Sequence, residues 1–277
     1  MTLKSLGVIG SGAIASPMLD ALAKNVVRPI ERLTILTLPE AADAACLLAD
    51  RSGKRIAERV DVVTDGEAFL STPHDLVVEC AGHAAVKAYG EQVLANAVDL
   101  LVVSIGALTD DNLRNRLHDA AAASGARLIL CSGAIGGIDL LSAARLAGID
   151  RITYTSRKPP RAWKGTPAEK LIDLDKVTSE TVFYQGSARA AARDYPQNAN
   201  SAATIAIASV GLDNTQVRLI ADPAAPGNVH EFKLSSACAD MDVRIVGKPS
   251  PDNPKTSMST AYTVAREILN RMSPIAI

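Results

Sequence analysis

The stretch GNVHEF, residues 227–232, places His230 just after a Pro226–Gly227 turn, at the mouth of a run of strand formers. The chain has only four histidines, so the position of each is informative. An imidazole with an ordinary pKa near ~6.5 can take and return a proton near neutral pH. The alternative is a packed ring with its nitrogens satisfied inside a core. Strand alternation puts Asn228, His230 and Phe232 on one face.

A second chemistry is written near the start. GVIGSGAIAS follows an apolar run and opens a helical stretch, and Gly10, Gly12 and Ala15 fit G-x-G-x-x-A. Gly10 permits the tight turn. Gly12 lets a pyrophosphate approach the backbone, and the small Ala15 lets helix and strand pack closely. With Ala13 and Ile14, these residues form a dinucleotide cradle whose helix N-terminus offers N–H groups to the phosphates. The second apolar run, LTILTLPE, ends in Leu36, Thr37 and Leu38, with no carboxylate for a 2′-hydroxyl and no arginine for a 2′-phosphate. The cofactor is therefore NAD or NADP.

Further candidates lie at other strand ends. In ECAGH, Cys80, Ala81 and Gly82 are placed to meet the cofactor, with Gly82 giving close approach to a ribose. SGAIGG is a second glycine-rich turn, either a hinge or a contact for the nicotinamide end. In SRKPP, Arg157 and Lys158 either sit on a solvated loop or grip a substrate carboxylate, for which a guanidinium offers a planar fork. Lys255 in NPKTS is a similar candidate. Asn198 and Asn200 in YPQNANSAA either cap a helix or hold a polar substrate. Cys46, Cys80, Cys131 and Cys238 form no C-x-x-C pair and no Cys/His cluster, so no metal is expected.

These residues need elements to hold them. Apolar runs at LGVIG, LTILTL, VDVVTD, DLVVECAG, DLLVVSIGAL and ARLILCSGAIGG alternate with helical stretches such as 41–50, 84–97 and 111–124. Unbroken Val/Ile/Leu runs indicate strands covered on both faces, hence a parallel sheet. The pattern changes near Gly137. A helix over 139–147 leads to the strand RITYTS and then a polar, proline-bearing loop. Helices over 187–194 and 199–210 follow, then the strands TQVRLIADP, VHEFKLSS and MDVRIVGKP, and a last helix over 256–271. The expected fold is α/β: an N-terminal Rossmann-type parallel-sheet domain plus a smaller α+β domain with a mixed or antiparallel sheet. The boundaries are 1–138 together with 254–277 for the first, and 139–253 for the second, a substrate and dimerisation domain.

Composition agrees. Hydrophobic residues make up 48% and the net charge is −1, which argues against a nucleic-acid partner. No run is long enough for a membrane span or a signal core, so a cytoplasmic protein is expected.

The motifs GSGAIA, ECAG, SGAIGGIDLLSAA, SRKPP, YPQNANSAATIAIAS, ADP, GNVHEF and NPKTS, in this order, resemble those of the L-aspartate dehydrogenase family. That family is related in fold to homoserine dehydrogenase and dihydrodipicolinate reductase. The chain departs from the family in Ala15, where glycine is common, and in Ser201, where valine is usual. The resemblance implies that His230 is the catalytic histidine, and that Ala134 and Asn200 contact the cofactor. It also implies NAD(P)-dependent oxidation of L-aspartate to iminoaspartate, which gives oxaloacetate and ammonia or feeds NAD synthesis, and a homodimer. The alternatives are a related dehydrogenase or reductase for another amino acid or semialdehyde, and a non-catalytic dinucleotide sensor.

Overall fold

The computed structural model describes residues 3–196, 199–250 and 257–276. The chain divides into two compact units, Met1–Cys131 with Thr260–Ile277, and Ser132–Ser259.

The first unit is a parallel sheet of strands β1 (Ser5–Ile9), β2 (Ile30–Leu36), β3 (Ala57–Val63), β4 (Leu76–Glu79), β5 (Asp99–Val102) and β6 (Leu128–Leu130), in the order β3-β2-β1-β4-β5-β6. Its helices are α1 (Ala15–Asn25), α2 (Ala42–Leu48), α3 (Lys54–Ile56), α4 (Gly66–Ser71), α5 (His83–Ala95) and α6 (Asp111–Ser124). The strand order reverses between β1 and β4, which is where doubly wound sheets take ligands at the strands' carboxyl ends. The β-branched runs read from the sequence are buried as such a sheet requires: β1 and β4 expose almost nothing. Asp110 starts α6 by accepting the N–H groups of Asn112 and Leu113, and Gly125 ends it in the left-handed conformation.

The second unit contains α7 (Ile138–Ala147), β7 (Ile149–Lys158), β8 (Thr181–Ser187), α8 (Ala188–Asp194), α9 (Ala199–Ala208), β9 (Gln216–Ala221), β10 (Asn228–Ser236) and β11 (Asp240–Gly247). Its sheet runs β11-β10-β7-β9-β8 and is mixed: β7 and β9 are parallel and the other neighbours antiparallel. Strand β8 is absent from the sequence reading. Its register shifts between Val182 and Tyr184, so the two-residue alternation that marks a strand is broken inside it. Helix α10 (Met258–Met272) begins in the second unit and runs on into the first. There Ala261, Val264, Ala265 and Ile268 join the core of Leu6, Met18, Leu19 and Leu22. Arg271 pairs with Asp99 at 2.8 Å and fixes the far end of the helix to β5.

Candidate active site

In the first unit the site is made of backbone. Helix α1 begins at Ile14 with no side-chain cap and no acidic residue in its first turn, so its N–H groups and positive end are left for an anion. Gly10 has φ +101°, and a Cβ there would lie 3.0 Å from Ala81, so the loop after β1 packs directly on the loop after β4. A Cβ built on Gly12 meets nothing within 4 Å, and the same is true of Gly82, whose φ is +130°. The glycine at 10 thus serves the packing of two loops, while those at 12 and 82 border open space that suits a pyrophosphate and a ribose. The expected cofactor residues at 10–14 and 80–82 are brought together at the switch point.

Glu79, at the end of β4, holds this arrangement and was not singled out from the sequence. It is 1% exposed. Its Oε1 accepts from the N–H groups of Ala81 (2.8 Å) and Gly82 (2.6 Å) and from the Ser104 hydroxyl (3.0 Å). Its Oε2 accepts from the Ser104 N–H at 3.0 Å. One carboxylate therefore satisfies donors of the loops after β4 and after β5, and hydrogen bonds take the place of a counter-ion. At the end of β2, the Ser11 and Thr37 hydroxyls are paired at 2.8 Å. That end of the cradle carries hydroxyls where many NAD-specific folds carry a carboxylate.

In the second unit the site is made of side chains. His230 on β10 pairs in register with Ser156 of β7 and Ile245 of β11, and Phe232 pairs with Tyr154. Residues opposite one another share a face, so His230, Phe232, Tyr154 and Ser156 project together, and two residues on, Lys158 does the same. The start of α7 covers this face: a Cβ on Gly137 would touch Phe232 and Met241 at 3.6 and 3.5 Å. The His230 ring is 8% exposed and its Nδ1 lies 2.7 Å from the Tyr154 hydroxyl. Burial lowers the histidine's pKa from 6.5 to about 4, helped by the positive charge of Lys158. The imidazole is neutral at physiological pH. Burial pushes the Tyr154 phenol well above its usual range, and the Ser156 hydroxyl beside it in the sheet is buried without a hydrogen-bond partner among the described residues. Lys158 lies with its Nζ 4.9 Å from the centre of the Trp163 ring.

Arg157 requires a correction. Its odd position in β7 sends it to the face opposite His230. There it meets Glu180 at 2.6 Å, Asp222 at 2.8 Å and Glu231 at 3.5 Å, and Arg244 holds the other oxygen of Glu231. A guanidinium already neutralised by three carboxylates does not grip a fourth, so Arg157 is a pin between strands and not a substrate clamp. Glu231 shares that face, which leaves Tyr154 as the group that orients the His230 ring. Ala134 lies in the turn after β6, closed by a hydrogen bond from the Ile135 N–H to the Ser132 carbonyl. Asn200 is exposed in the first turn of α9, beside Ser201. Asn198 and Lys255 lie outside the described residues. Among the described residues no cluster of histidine, cysteine and acidic side chains has the makings of a metal site, and no helix is long and apolar enough to cross a membrane.

A Rossmann-type parallel sheet with a glycine loop at its switch point belongs to the dinucleotide-binding class of α/β folds. Residues 10–130 match the family "Homoserine dehydrogenase, NAD binding domain" and residues 139–271 match "Aspartate dehydrogenase, C-terminal". The chain is 42% identical to an L-aspartate dehydrogenase of Cupriavidus necator, covering 98% of this chain and 99% of that one. It is 43% identical to an L-aspartate dehydrogenase of Pseudomonas aeruginosa, covering 98% of both. The crystal structure of aspartate dehydrogenase from Thermotoga maritima superposes with a TM-score of 0.74 at 27% identity, over 99% of each chain. The chain belongs to the L-aspartate dehydrogenase family. A dihydrodipicolinate reductase from Paenisporosarcina, 14% identical with a TM-score of 0.52, shares the fold.

Proposed function

We propose that the protein catalyses the NAD(P)-dependent oxidative deamination of L-aspartate to oxaloacetate and ammonia, by way of iminoaspartate, and the reverse amination. The observation that carries this reading is 42–43% identity with L-aspartate dehydrogenases along the whole chain.

The residues fit the dinucleotide: the open space at Gly12 and Gly82 and the uncapped α1 start suit its phosphates and ribose. When bound, the nicotinamide supplies the acceptor for the hydride that leaves the substrate Cα. The loops at 10–14 and 80–82, with Ala134 and Asn200, hold the dinucleotide. Lys158, with Lys255 and Asn198, binds the substrate's carboxylates. His230 serves the proton steps. Hydride loss from Cα and proton loss from the amine give iminoaspartate. Water then adds to the imine carbon and gives a proton to the neutral imidazole, while the C=N pair returns to nitrogen. The nitrogen takes up a proton and leaves as ammonia as the carbonyl forms. A neutral ring suits this role, since a resting imidazolium has no lone pair to offer. Self-association as a homodimer through the second unit's sheet belongs to the same proposal, and light scattering reads it.

The test follows reduced-nicotinamide absorbance with a panel of L-amino acids, then with oxaloacetate plus ammonia. Turnover confined to aspartate and its reverse pair is the expected result. Turnover of another amino acid with none of aspartate overturns the substrate. Dinucleotide binding without any turnover makes the protein a sensor.

A further inference from the structure

We propose that the protein discriminates between the two dinucleotides and prefers NAD, and that it does so without a carboxylate on the ribose: the uncharged Ser11–Thr37 pair takes the 2′-hydroxyl, and the acidic segments around it repel a 2′-phosphate. This rests on the dinucleotide reading of the Gly10–Ile14 loop given above and narrows it to one cofactor.

The two cofactors differ only at the 2′-position of the adenosine ribose. NAD carries a hydroxyl there, which both donates and accepts. NADP carries a phosphate, which has about two negative charges at pH 7 and takes only donors. In doubly wound sheets this position falls at the carboxyl end of the second strand, beside the glycine loop. A hydrogen bond marks that place here. The Ser11 hydroxyl of the loop and the Thr37 hydroxyl just past β2 lie 2.8 Å apart, and either can be the donor. Thr37 is 7% exposed and Ser11 half-buried, so Ser11 is the one a ligand meets. A hydroxyl that can give or receive matches another hydroxyl.

The charge around this place is one-sided. The segments that leave the carboxyl ends of β1, β2 and β3, residues 10–23, 37–50 and 64–73, hold Asp20, Glu40, Asp43, Asp50, Asp65 and Glu67 and no lysine or arginine. Glu40 is exposed in the first turn after Thr37, and Asp43 in the first turn of α2. Asp65 is exposed at the start of α4. The next residue along from Asp50, Arg51, is already engaged: it meets Asp20 at 2.9 Å and the Ser16 hydroxyl at 3.0 Å. Like charges within a Debye length weaken the binding of a phosphate. The positive end of α1 serves the pyrophosphate, which both cofactors carry, and so favours neither.

The experiment is titration calorimetry of the full-length protein with NAD and with NADP, without substrate, at low and at physiological salt. The wild type is expected to bind NAD at least about tenfold more tightly at low salt, with the gap narrowing as salt rises. Glu40→Gln should tighten NADP about threefold and leave NAD unchanged. Leu38→Arg sets a cation on a residue that is 65% exposed and should tighten NADP about tenfold. Ser11→Ala should weaken NAD about fivefold and NADP much less, whereas a serine that only ties the loop to β2 would weaken both alike. A wild type that binds NADP as tightly as NAD overturns the proposal. So does a gap indifferent to salt and to Glu40→Gln, even if Leu38→Arg does not fold. Equal losses of both dinucleotides in Ser11→Ala overturn the role of the hydroxyl pair. Because affinities are read without substrate, a protein that prefers NAD yet is inert toward aspartate keeps this inference and overturns the proposed function. One that oxidises aspartate but prefers NADP does the reverse.

Discussion

The two units build their halves of the chemistry from different materials. In the first, the proposed recognition surface is main chain: glycine positions with open space above them, an uncapped helix start, and one buried carboxylate that ties two loops together. In the second, it is side chains on one face of a sheet, with His230, Tyr154, Ser156 and Lys158 set by strand register. A main-chain site tolerates many residue types but few changes of backbone. A side-chain site tolerates backbone adjustment but not the loss of one hydroxyl or imidazole. Mutations in the two units should therefore separate cleanly into binding effects and rate effects.

The largest effect tests that separation directly. His230→Ala should lower kcat for aspartate by about 10²–10⁴-fold, the range general acid–base catalysis supplies, while the dinucleotide Kd stays within about twofold. Gly12→Val fills the open space with a branched side chain and should abolish measurable dinucleotide binding with the second unit intact. Titration calorimetry and steady-state rates read both. A His230→Ala enzyme that keeps its rate, or a Gly12→Val enzyme that keeps its affinity, would break the division of labour.

Glu79→Ala comes next. The carboxylate accepts four hydrogen bonds at 1% exposure, so its removal leaves the buried Ser104 N–H and the part-buried N–H groups of Ala81 and Gly82 without their acceptor. A loss of about 3 kcal/mol in urea unfolding is expected, with weakened dinucleotide binding, because the Cys80–Gly82 loop loses its anchor. A variant as stable as the parent would show that the loops hold themselves.

The second unit has a counterpart in pH. The His230 pKa is lowered from 6.5 to about 4 on folding. Between these values the unfolded chain binds a proton that the folded one refuses, so stability is full above pH 6.5 and falls as the pH drops toward 4. The loss attributable to this ring is about 3 kcal/mol. His230→Asn should flatten that part of the curve, measured as urea midpoints from pH 7 to pH 4. An unchanged slope would place the titrating group elsewhere.

The same contrast explains what was readable in the sequence. The glycine loop could be read because its demands are local: Gly10, Gly12 and Ala15 fall within six residues, after a strand and before a helix. The parallel sheet was readable because strands such as β1, β4 and β5 lie in apolar Val/Ile/Leu runs. Glu79 was not, since its partners at 104 lie 25 residues on and a glutamate at a strand end looks solvent-exposed. Tyr154 was not, because it stands 76 residues from His230 and only strand register brings them together. Strand β8 was hidden by its register shift. Arg157 was misread for a related reason: SRKPP shows two adjacent cations but not which face of the sheet each one takes.

That adjacency gives the smallest test. Lys158 shares the face of His230, lies against the Trp163 ring and helps lower the histidine's pKa. Arg157, one residue earlier, points the other way into Glu180, Asp222 and Glu231. Lys158→Ala should raise KM for aspartate about tenfold, the loss expected for one charge-assisted hydrogen bond, with unfolding little changed. It should also move the acid limb of the kcat profile to higher pH, because a positive charge beside the ring is gone. Arg157→Ala should do the reverse. Three carboxylates left with Arg244 alone repel one another, so about 2 kcal/mol of stability is lost while KM for aspartate is nearly unchanged. If Arg157→Ala instead raises KM as much as Lys158→Ala does, at undiminished stability, the two faces of this sheet are not divided between substrate and scaffold.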